Sequence, residues 1–99
     1  METTRGQKII AFKEACEKGA DAGAAHILLR SLPAGSQEVK RNALPDFVSD
    51  VAASFGGAMY QTPQSISTIL NSIPRSKDGR EDIAVEAIIK ATHFLGCNL

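Results

Sequence analysis

Four side chains in this sequence carry the soft donor atoms that a transition metal prefers: Cys16, His26, His93 and Cys97. Their number matches a two-cysteine, two-histidine zinc site, and His93 and Cys97 stand one helical turn apart, a spacing that lets two side chains share a metal. Cys16 and His26 do not fit the same scheme, because ten residues and a glycine break separate them, unlike the spacing of zinc fingers. The expectation is therefore that Cys16 is a core residue, the histidines sit at helix edges, Cys97 lies in a frayed end, and no metal or cofactor is bound. Catalysis by Cys97 with His26 would need the fold to bring distant positions together, and nothing in the spacing does so. Gly56-Gly57 is not followed by the lysine and serine or threonine of a phosphate-binding loop, and no dinucleotide fingerprint or metalloprotease His-Glu pattern occurs. The chain reads as a non-enzyme.

Two sets of residues suggest binding. A helix from Pro45 to Phe55, a glycine turn and a helix from Pro63 to Ile73 would form a helix-turn-helix, with Gln64, Ser65, Thr68 and Asn71 reading a DNA major groove and Arg75, Lys77 and Arg80 holding phosphates. Against it, the connection from Gly56 to Gln61 exceeds a three- or four-residue turn, and the reading helix has no basic residue. A helical hairpin is the ordinary alternative. The second set is Met59 and Tyr60, placed in a loop between two helix signals, with Phe94 near the end of the last helix; residues of these types are enriched where proteins meet.

The elements that must position these residues are all helices. A capping box at Thr4 and Gln7 opens the first, Gly19 ends it, and Ile9, Phe12 and Cys16 form its apolar stripe. Asp21 caps a second helix that runs to Leu32 before Pro33, with Ala24, Ala25, Leu28 and Leu32 on one side; Gly23 near its start costs up to about 1 kcal/mol against alanine. Ser36 caps a third, carrying Val39, Leu44, Phe47, Val48, Val51, Ala52 and Phe55, which Pro45 either kinks or divides in two. Thr62-Pro63 opens a fourth with Ile66, Ile69, Leu70 and Ile73 as its stripe. Asp78 with Glu81 opens the last, from Gly79 to Leu95. In that helix Ile83, Ala84, Val85, Ala87, Ile88, Ile89, Ala91, Phe94 and Leu95 cover most of the circumference while Asp82, Glu86, Lys90 and His93 fall on one narrow polar stripe, so something must enclose it.

The expected fold is one all-α domain over residues 1–99, a compact bundle of five helices, or six if Pro45 breaks the third, with the apolar C-terminal helix at its centre. At 99 residues the chain has room for one modest core. Eleven basic residues balance eleven acidic ones, so no global field draws it onto nucleic acid or an anionic membrane, and little repulsion opposes a homodimer if the last helix is left partly bare. No secretion signal, membrane segment or lipid-anchor motif is visible, and two cysteines without an export signal fit a reducing cytoplasm. The expected function is a small non-catalytic interaction protein, a regulator or inhibitor of the kind phages and mobile elements encode, that binds another protein. A DNA-binding regulator is the alternative.

Overall fold

The computed structural model describes residues 5–19, 21–57, 62, 64–74 and 79–97, with the side chains of Arg5 and Arg80 left aside. Five helices follow one another: α1 (Arg5–Glu17), α2 (Asp21–Ser31), α3 (Gln37–Ser54), α4 (Ile66–Asn71) and α5 (Arg80–Phe94). Their buried apolar side chains form one contiguous core, and no strand occurs among the described residues. None of these helices is long and apolar enough to cross a membrane.

The six-helix alternative is overturned, because α3 runs unbroken through Pro45. Proline deletes a single bond there, the one its amide would have made to the Arg41 carbonyl. Leu44, Phe47, Val48, Val51 and Ala52 are all buried on one stripe that spans the proline, and their packing outweighs the lost bond. The Ser36 cap is present: its hydroxyl accepts the Val39 N–H at 3.3 Å. At the other end Gly56, at φ +85°, lets the Gly56 and Gly57 amides donate back to the Ala53 and Ala52 carbonyls at 3.0 and 2.8 Å, a closed helix terminus that only glycine enters cheaply.

The fourth helix starts later than its Thr62-Pro63 signal. Ser65 caps it, accepting the Thr68 N–H at 3.2 Å, and the two hydroxyls bond each other at 2.8 Å, so the helix begins at Ile66 and lasts six residues. Pro63 and the Thr4 and Asp78 caps lie outside the described residues. Gly79, at φ +78°, takes the N-cap position of α5.

The helix α5 is the central element. It packs against α2, α1 and α3, and Ala84, Val85, Ala87, Ile88, Ala91, Thr92 and Leu95 are buried. Alanines on its buried stripe and Ala24 and Ala25 on that of α2 let the two backbones approach closely. Thr92 is fully buried, and its hydroxyl is satisfied by donation to the Ile88 carbonyl at 2.7 Å. Asp82, Glu86, Lys90 and His93 face solvent as the spacing requires, with Lys90 reaching Asp21 at 3.6 Å. Most apolar side chains of α5 are thus covered within the chain, with Ile83 and Ile89 half-buried and Phe94 exposed.

Two cations tie distant helices together at helix C-termini. Lys13 of α1 donates to the Ser54 carbonyl at 3.0 Å and stands 4.8 Å above the Phe55 ring, while Arg41 of α3 donates to the Leu95 carbonyl at 3.1 Å. Each neutralises part of the negative end of a helix dipole and satisfies a carbonyl that the helix itself leaves open.

Candidate partner-binding surface

The four metal-ligand candidates are dispersed in environment. Cys16 is buried in the core, Cys97 is half-buried against it, and His26 and His93 are exposed. Among the described residues no three histidine, cysteine or carboxylate side chains are placed to hold a metal. Burial, aided by the neighbouring Glu17 charge, pushes the Cys16 thiol up to about 11, so it stays protonated at neutral pH.

The residues assigned to DNA reading are split between a cap and a short helix. Gln64 precedes α4 and donates to the Thr62 hydroxyl at 3.1 Å, Ser65 is the N-cap, and Thr68 and Asn71 are exposed on a helix of fewer than two turns. Arg75 and Lys77 lie outside the described residues, and Arg80 begins α5. Met59 and Tyr60 also lie outside them. Phe94 is described and is 69% exposed, four residues beyond Lys90 on the solvent stripe of α5. Among the described residues Ile10, at 57%, and Val39, at 43%, are further exposed large apolar side chains.

A larger feature escaped the sequence. The α1–α2 hairpin carries a run of three adjoining concavities along one side. The first, about 300 Å³, lies among Ala11, Glu14, Ala15, Lys18, Gly23 and Ile27. The second, about 210 Å³, shares Ala11 and Ile27 and adds Lys8, Arg30 and Ser31. The third, about 310 Å³, shares Lys8 and Ser31 and ends on Leu32, Pro33, Ala43 and Phe47. Because α1 and α2 are antiparallel, residue numbers fall along one wall as they rise along the other, and the three follow one another along the hairpin as a shallow trough.

The trough exists because each hairpin helix has a second stripe. On α1, Ala11 and Lys18 follow Lys8 and flank Glu14 about a third of a turn from the Phe12 and Cys16 stripe; on α2, Gly23, Ile27 and Arg30 are similarly offset from Ala24 and Leu28. Small residues on these stripes leave a depression where larger ones would fill it. Three- and four-residue spacing of Lys8, Ala11, Glu14 and Lys18, and of Gly23, Ile27 and Arg30, beside the core stripes is the available signal, but pairing the two stripes needs the hairpin geometry. No protein-family model, characterised protein or solved structure matches the chain.

Proposed function

We propose that this chain is a non-catalytic protein-binding module, a regulator or inhibitor that acts by seating a segment of another protein in the α1–α2 trough. The observation that carries this reading is the trough itself: three contiguous depressions with Ala11, Ala15, Ile27 and Phe47 among their lining and charged side chains among the residues around them. Protein-binding sites combine an apolar centre with a polar rim in this way.

The test is site-directed photocrosslinking in native extract, with the crosslinking residue at Ile27 in the trough and, separately, at Glu86 on the polar stripe of α5. A specific protein crosslinked from position 27 and not from 86 supports the reading. Crosslinking to neither, or retention on duplex DNA that weakens steeply with salt, overturns it.

A further inference from the structure

The charges around the trough narrow what fits into it. Lys8, Lys18 and Arg30 border it against the single carboxylate of Glu14, in a chain whose eleven basic and eleven acidic residues balance as a whole. Among the described residues none of these three cations is held in an ion pair. Lys40 extends the positive charge past the far end, where its ammonium donates to the Pro33 carbonyl at 3.2 Å. A bare cationic rim over an apolar floor is complementary to a segment that is apolar on one face and acidic beside it.

The shape adds a second constraint. A groove between two antiparallel helices accepts the ridge of a third helix, and Ala11, Ala15 and Gly23 let such a helix come close. From Gly23 to Leu32 the wall rises about 14 Å, which matches roughly ten residues, or nearly three turns, of helix.

We infer that the occupant is an acidic amphipathic helix of the partner protein, an inference that rests on the protein-binding reading above. Its apolar residues, spaced three and four apart, lie over Ala11, Ala15 and Ile27 and reach toward Phe47. Its carboxylates flank that stripe, meeting Lys18 at one end and Lys8 with Arg30 toward the other. Arg30 is the strongest single contact, because its guanidinium engages a carboxylate through two parallel hydrogen bonds.

The experiment selects 14-residue amphipathic helices against the full chain from a displayed library, with apolar positions drawn from leucine, isoleucine, valine, methionine and phenylalanine, and polar positions drawn equally from glutamate, lysine and glutamine. The expected winners are enriched in glutamate beside the apolar stripe. Their binding, followed by fluorescence anisotropy, weakens about ten-fold in the Lys18→Glu, Arg30→Glu double variant and returns when the peptide glutamates become lysines. Ala11→Trp fills the trough and abolishes binding; Gly23→Trp, at an exposed helical position, serves the same purpose if the first variant does not fold. Winners that need the trough but show no preference for glutamate overturn the acidic helix and leave the protein-binding reading standing. Winners indifferent to both tryptophan variants, or a library that yields none, overturn the seat itself. A 20-base-pair duplex bound through Lys18 and Arg30, or self-association lost in the double variant, identifies a different occupant and overturns the inference as well.

Discussion

The two sides of the α1–α2 hairpin are built from neighbouring residues and do opposite things. One side puts Phe12, Cys16, Ala24, Leu28 and Leu32 into the core, where α5 is a main packing partner; the other leaves Ala11, Gly23 and Ile27 along an open trough between charged residues. A shift of one position along the chain thus separates a fully buried side chain, Leu28, from one that packs against the core and is only partly covered, Ile27. Stability and binding should therefore respond to different substitutions in the same two helices.

The sharpest way to break this contrast is a pair of truncations. Leu28→Ala removes a fully buried side chain and should lower the unfolding free energy by about 2–5 kcal/mol, whereas Ile27→Ala, one residue away and half-buried, should cost on the order of 1 kcal/mol. Urea denaturation of the two variants checks it; equal losses would mean that the trough side is packed like the core.

Next in size is a pH effect on the buried side. The Cys16 thiol titrates near 11 in the folded chain against 9.0 for the free group, so the unfolded state loses its proton first as pH rises. Stability is fully present below about pH 9 and falls through pH 11, by roughly 2 kcal/mol from this group. Denaturation of wild type and Cys16→Ala across pH 8–11 isolates it, since the variant should show the shallower decline. Thiol labelling at neutral pH should likewise modify the half-buried Cys97 well before Cys16.

Gly23→Ala sharpens the comparison from the trough side. Gly23 is exposed within α2 and takes no left-handed conformation, so alanine should stabilise the chain by up to about 1 kcal/mol, read as a rise in thermal midpoint. The smallest effect belongs to the rim. Lys18→Glu with Arg30→Glu should move stability by no more than about 0.5 kcal/mol in either direction, because both side chains are exposed, while the charge of the trough is inverted.

Much of this architecture can be read from the chain, for identifiable reasons. The four-four-three spacing of Asp82, Glu86, Lys90 and His93 defines the exposed stripe of α5 because it follows helical geometry alone. Ser36 and the glycine pair 56–57 are legible as the ends of α3 because caps are local. Pro45 leaves a kink and a break both open, and the helix is not broken because burial of five stripe residues, which propensity does not see, outweighs the cost of an interior proline. The late start of α4 reflects two competing local signals, Thr62-Pro63 and Ser65 with Thr68, of which the second caps the helix. Phe94 was singled out and is exposed, but it lies on the polar stripe rather than with the apolar face.

The trough was not legible. It requires Lys8 and Ser31, or Ala11 and Ile27, to be recognised as neighbours across a turn, and helical periodicity treats each helix separately. The same holds for the reach of Lys13 to Ser54 and Arg41 to Leu95, contacts 41 and 54 residues apart.

The separation of α2 from α5 also sets a schedule. On a ribosome the hairpin emerges before α5, and about fifty more residues must be added before the helix that covers its apolar side begins to appear. At typical elongation speeds that interval lasts a few seconds, during which Phe12 and Leu28 lack their final neighbours. The apolar side of the hairpin thus waits for its cover until α5 has been made.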